Sequence, residues 1–233
     1  PNHELVREHI RAGGLACVLE QGINGHMITL FDGGAHIPLL WTHLIPATLE
    51  GKAVHNVQNA MCASAMAYSL GATLEDIRHG LRTFDTSFFQ APGRMNVFDE
   101  HPFKVILDYA HNPAAVEAMC KTAAQLSVQG KRIAVLAAPG DRRDQDIDEI
   151  GRLAAGNFDY YLCKADDDRR GRGFDEAPQR IRTSLLEEGV SDDTIKVIPD
   201  EQACIDHALR MANHGDLVLI FGDDTTRSWK QII

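Results

Sequence analysis

Five short apolar runs recur through the second part of this chain: FKVILDYA (103–110), KRIAVLAAP (131–139), DYYLCK (159–164), TIKVIP (194–199) and DLVLIFG (216–222). Between them lie stretches of helical periodicity at about 113–128, 143–155, 175–188 and 200–213. Strands that are apolar throughout are buried on both faces, and parallel strands need a crossover such as a helix to join them. The alternation therefore predicts an α/β fold with a mostly parallel sheet and helices on both faces, Rossmann-like in architecture.

The chain before this region has a different texture. PNHELVREHIRAGG reads as a short helix stopped by Gly13-Gly14, and ACVLEQ, HMITLF and HIPLL read as small strands joined by glycine turns. VHNVQNAMCASAMAYSL (54–70) has helical spacing and is followed by Gly71, while TLEDIRHGLRTF opens with a threonine cap. SFFQAPGR, with Pro92-Gly93, marks the change of texture and sets the expected domains at 1–91 and 92–233.

A net charge of -10 leaves no sustained Lys/Arg surface for nucleic acid or an anionic membrane. No stretch reaches the roughly 18 apolar residues of a membrane span and the N-terminus lacks a signal pattern, so a cytoplasmic protein acting on small molecules is expected. Cys17, Cys62, Cys120, Cys163 and Cys204 are widely spaced and are expected to be buried, unreactive thiols. The chain starts at Pro1 without an initiator methionine, as expected for a piece of a longer protein.

In a parallel sheet, ligands bind beyond the carboxyl ends of the strands. Four such ends carry DYAHNP (108–113), APGDRRDQD (138–146), KADDDRRGRG (164–173) and FGDDTTR (221–227). These are dense in Asp and Arg, unlike plain turns, and are expected to face one crevice. From chemistry alone, Asp108 suits either sugar hydroxyls or a helix cap. Pro113 suits the first turn of a helix whose amides favour an anion.

DYAHNP after an apolar strand, PGRM (92–95) ahead of it and HNVQNA (55–60) on an upstream helix resemble, in order and spacing, the Mur ligase superfamily. The likeness extends over nearly the whole chain, from the last part of a central ATPase domain through the C-terminal domain. GKAVHNVQNAMCASAMAYSLGATLEDIRHGLRTF (51–84), APGRMNVF (91–98) and APGDRRDQD are most similar to the branch that uses ATP to join arginine to the aspartate side chains of an aspartate-backbone polymer.

The resemblance implies ATP and Mg2+ as cofactors, with arginine and that polymer as partners. A homo-oligomer is compatible with it. It places Asn59 at the adenine with His55 and Asn56 nearby, Arg94 at the ATP phosphates and Asp108 at the ribose. Arg94 and His111 are the catalytic candidates. Arg142 and Arg169 correspond to substrate-contacting arginines, Arg169 to one that binds the incoming amino acid's carboxylate, a bidentate task suited to guanidinium.

Asp167 and Asp168 stand where the family pattern has Asn and Pro. With Asp166, Asp223 and Asp224 they would complement an incoming guanidinium. Thr225, Thr226 and Arg227 match the family's remaining substrate contacts only weakly, and Trp41 and Trp229 are expected to pack rather than bind.

No glycine-rich phosphate loop ending in Gly-Lys-Thr or Gly-Lys-Ser occurs in these 233 residues. The segment alone is therefore not expected to turn over ATP, and the magnesium ligands are expected upstream of Pro1. Alternatives are a Mur-type ligase for a peptidoglycan precursor or folylpolyglutamate, or a non-catalytic Rossmann-like binding module. The acidic DDDRRGRG loop argues against addition of glutamate.

Overall fold

The computed structural model describes residues 3–233. Pro1 and Asn2, part of the expected opening helix, lie outside the described residues. The chain divides into two compact units, one up to Asp85 and one from Thr86.

The first unit contains α1 (Glu4–Arg11), an antiparallel sheet of β1 (Ala16–Gly22), β2 (Gly25–Asp32) and β3 (Ala35–Trp41), then α2 (Val54–Ser69) and α3 (Leu74–Thr83). The β2–β3 hairpin turns on Gly33 and Gly34, at φ 56° and 87°, the left-handed pair that a two-residue hairpin loop requires. Thr73 caps α3 by accepting the amide of Asp76 at 3.2 Å. Ile28, Leu30, Leu39, Leu40, Ile45 and Ile77 form the core between sheet and helices.

The second unit is a six-stranded sheet in the order β4-β5-β9-β6-β7-β8, and all its pairings are parallel except β4 with β5. Its elements follow the expected alternation: β4 (Asn96–Phe98), β5 (Lys104–Asp108), α4 (Pro113–Gln125), β6 (Arg132–Leu136), α5 (Asp144–Ala154), β7 (Tyr160–Cys163), α6 (Glu176–Glu187), β8 (Ile195–Val197), α7 (Glu201–Met211), β9 (Leu217–Phe221) and α8 (Thr225–Ile232). Every residue of β9 is buried, as its central place demands. Val105, Leu107, Ile133, Val135, Val218 and Ile220 pack against Cys204, Ile205 and Ala208 of α7 and Ile232 of α8. The intervening Ile106, Ala134 and Leu219 are equally buried, on the opposite face of the sheet.

The division falls before Pro92-Gly93. Residues 86–91, grouped with the first domain in the sequence reading, are held by Asn96, whose side chain donates to the carbonyls of Thr86 at 2.9 Å and Ala91 at 2.8 Å. Phe88 also stacks on Trp229, with ring centroids 5.0 Å apart. Cys120, Cys163 and Cys204 are buried and Cys17 is half-buried, but Cys62 departs from expectation by lying exposed on α2. None of the described helices is long and apolar enough to cross a membrane.

Candidate active site

β5, β9, β6 and β7 are consecutive in the sheet, so the four polar strand ends emerge side by side. Tyr109, His111, Pro139, Asp166, Gly222 and Asp223, drawn from all four ends, line one small cleft.

At the end of β5, Asp108 is buried and accepts the amide of Met95 at 2.8 Å. Burial pushes its carboxyl above the usual value, against the opposing pull of the Met95 and Ala110 amides and of Arg94 and His111. Tyr109 donates its amide to Gly93 O at 2.9 Å, which holds the PGRM turn against this strand end. A Cβ on Gly93 would lie 2.7 Å from Thr225 Cγ2, so this close approach needs glycine. Arg94 is exposed beside Asp108. His111 Nδ1 donates to Tyr109 O at 2.9 Å, since a carbonyl can only accept, and this leaves Nε2 of the neutral ring as the acceptor. Asn112 caps α4 through the amide of Ala115 at 3.0 Å.

The loops after β6 and β7 are joined by Arg172. Its Nε donates to Gly140 O at 2.8 Å, its Nη2 to Arg142 O at 2.7 Å, and it pairs with Asp144 and Glu176. Arg170 forms an ion pair with Asp141 and lies 3.7 Å from Asp168. Arg142 is half-buried and its Nε has no hydrogen-bond partner. Arg169 lies over the Phe174 ring at 5.5 Å from its centroid.

Beneath the acidic loop, Lys164 is fully buried and its Nζ lies 2.7 Å from Glu201 and 3.4 Å from Asp166. Burial opposes the Lys164 charge, yet Glu201 and Asp166 hold its pKa above the usual value. Burial likewise opposes the Glu201 charge, but Lys164, the Asp223 amide and Arg227 pull its pKa down to about 2. Both groups are therefore charged in the folded chain. Asp166 is raised by burial, relieved by Lys164 and raised again by Asp223.

The five aspartates expected to read a guanidinium do not share one environment. Asp166 and Asp223 line the cleft. Asp167 pairs with Arg227 at 2.5 Å, and its amide donates to Asp223 at 3.1 Å. Asp168 accepts the amide of Arg170 at 3.1 Å, and Asp224 caps α8 by accepting the amide of Arg227 at 2.9 Å. In the first unit, exposed Asn59 donates to Asn56 at 3.2 Å, and Asn56 donates to Ala47 O at 2.7 Å. His55 stands beside them with a buried, unpartnered Nδ1, and burial lowers its pKa. Lys164, Glu201 and Arg172 were not singled out from sequence. The only local signal was a lysine closing an apolar strand.

The second unit is thus a mostly parallel α/β domain with acidic and arginine-rich strand ends around one cleft. Residues 93–223 match the family model for the Mur ligase, glutamate ligase domain, and the chain belongs to that family. Within it, the chain is similar to cyanophycin synthetases. That of Crocosphaera subtropica is 38% identical over 98% of this chain and 25% of its own length, and that of Trichormus variabilis is 39% identical over 100% and 25%. The chain thus spans about a quarter of the length of these relatives. A UDP-N-acetylmuramoyl-L-alanyl-D-glutamate–2,6-diaminopimelate ligase of Aquifex aeolicus is 34% identical over 69% of this chain and 31% of its own. Among solved structures, folylpolyglutamate synthase of Mycobacterium tuberculosis shares the fold at a TM-score of 0.66 and 19% identity, covering 98% of this chain and 51% of that one.

Proposed function

We propose that this chain is a segment of an ATP-dependent ligase of the cyanophycin synthetase type, which joins arginine to the aspartate side chains of an aspartate-backbone polymer. The observation that carries the reading is the cleft lined by Asp166 after β7 and Asp223 after β9, two acidic strand ends on either side of β6, a charge suited to a cationic amino acid and unsuited to glutamate. The likeness to cyanophycin synthetases over the whole chain supports it. The first unit, up to Asp85, is read as the last part of a central ATPase domain, and the remainder as the C-terminal ligase domain.

In this reading an oxygen of the polymer's aspartate carboxylate attacks the γ-phosphorus of ATP, ADP leaves and an acyl phosphate forms. The α-amine of arginine then attacks the acyl carbon, the bond to phosphate breaks, and the amine's proton passes to a base. His111 is assigned as that base because its Nε2 is the acceptor nitrogen. Asp108 is assigned to the ribose, Asn56 and Asn59 to the adenine, and Arg94 to the phosphates. Arg142 and Arg169 are assigned to the incoming amino acid's carboxylate.

Mg2+ would offset charge on the transferring phosphoryl group. The described residues contain no group of three His, Cys, Asp or Glu placed to hold a metal ion, so no magnesium ligand is assigned to this chain.

The test uses the intact ligase that carries this segment. ADP release with an aspartate-backbone primer should depend on arginine, with glutamate and diaminopimelate inactive. Release supported by glutamate instead would overturn the reading, as would arginine that is neither bound nor consumed.

A further inference from the structure

Glu201 opens α7, an element that supplies none of the four strand ends, and its side chain is fully buried. Its Oε2 accepts from Lys164 Nζ at 2.7 Å and from the Asp223 amide at 2.8 Å, while its Oε1 accepts from Arg227 Nη2 at 2.9 Å, Ser228 Oγ at 3.1 Å and the Asp224 amide at 3.3 Å. A carboxylate offers about four lone-pair directions, so five donors saturate it and leave no capacity for a ligand. The donors come from the end of β7, the end of β9 and the start of α8. One buried anion on α7 therefore joins two other pieces of chain, the end of β7 and the continuous stretch 223–228.

The two cleft carboxylates hang from this junction. Asp166 lies 3.4 Å from Lys164 Nζ, the cation that Glu201 holds. Asp223 is fixed twice: its own amide is bound to Glu201, and its Oδ2 accepts the amide of Asp167, which Arg227 anchors from Glu201. Two neighbouring carboxylates repel and would turn apart if free. Here both line one small cleft, and a planar guanidinium offers five N–H donors to such a pair of carboxylates.

We infer that Glu201, paired with Lys164, is a positioning residue that locks the ends of β7 and β9 so that Asp166 and Asp223 together select a cationic side chain. The inference rests on the arginine-joining reaction proposed above.

The experiment compares kcat/KM for arginine with that for citrulline, its neutral isostere, in the intact ligase and in Glu201→Gln and Lys164→Met/Glu201→Gln variants. The double variant removes both buried charges together, which leaves neither unpaired and keeps the test open where the single variant fails to fold. The expected result is a preference for arginine in the wild type that falls about tenfold in the variants, through KM for arginine and without change in KM for ATP. A merely structural role would lower turnover of both amino acids alike and leave the ratio intact, and that outcome overturns the inference alone. A wild type that shows no preference between the two amino acids removes the proposed cation selection, and the positioning role with it.

Discussion

A Cβ placed on Gly140 would stand 2.0 Å from the carbonyl oxygen of Arg169, so the loops after β6 and β7 touch backbone to backbone where only a hydrogen fits. Arg172 bonds to Gly140 O and Arg142 O beside this contact. Gly140→Ala must push the loops apart, and the expected cost is about 1–3 kcal/mol, read as a lower midpoint in thermal unfolding of this chain. An unchanged midpoint would show that the two loops do not pack in this way.

The Lys164–Glu201 pair gives a pH signature. Glu201 is held at about 2 against its ordinary 4.5, so its contribution is complete above the ordinary value and is lost as pH falls toward 2. The size is on the order of 3 kcal/mol. Urea unfolding between pH 7 and 2 should show an acid-side fall in the wild type that is smaller in the Lys164→Met/Glu201→Gln variant. Lys164→Met alone should cost about 3–5 kcal/mol, because it strands a buried carboxylate.

Asp108 behaves with the opposite sign. Its raised pKa means that the folded chain holds the proton more tightly than the unfolded one, so protonation of this group favours folding. Its value as an acceptor for ribose hydroxyls is lost at a higher pH than for an ordinary aspartate. In the intact ligase, KM for ATP should rise on acidification, and Asp108→Asn should show a raised KM for ATP without that pH dependence.

Asp108→Ala is expected to raise the requirement for ATP far more than for arginine, and Arg169→Ala the reverse. The Arg169 guanidinium rests over Phe174, so a kinetic effect confined to arginine would show that it leaves the ring to meet the amino acid. Unaltered kinetics in both variants would remove both assignments.

Thiol chemistry separates Cys62 from the rest. Cys62 is exposed, whereas burial pushes Cys17 up to about 11 and both Cys120 and Cys204 up to about 12, and raises Cys163 as well. One thiol per chain should react rapidly with a disulfide reagent under native conditions, and Cys62→Ala should abolish that reaction. The remainder should appear only on unfolding.

The inner parallel strands β5, β6, β7 and β9 were legible in the sequence because they are buried on both faces and so read as largely unbroken apolar runs. β4 was not, since three residues led by a buried asparagine carry no period that a strand pattern can detect. Asp108, His111, Asp166 and Asp223 could be found by their place at strand ends. Glu201 could not. It follows Asp200, and both acids suit a helix start, but Asp200 caps α7 through the amide of Ala203 while Glu201 turns inward to partners on other elements. Which of two adjacent acids turns inward depends on contacts distant in sequence. Sorting Asp224 as a cap from Asp223 as a cleft residue has the same limit.

β9 is the last strand in the chain, yet it lies between β5 and β6. As the polypeptide leaves the ribosome, those two earlier strands must wait with a gap between them, each presenting unpaired backbone groups that invite pairing with another molecule. Closure of that gap brings Phe221, Gly222 and Asp223 beside the ends of the older strands, so the cleft cannot exist before the final segment is seated. Loss of residues 217–233 would therefore split the sheet through its middle rather than trim an edge.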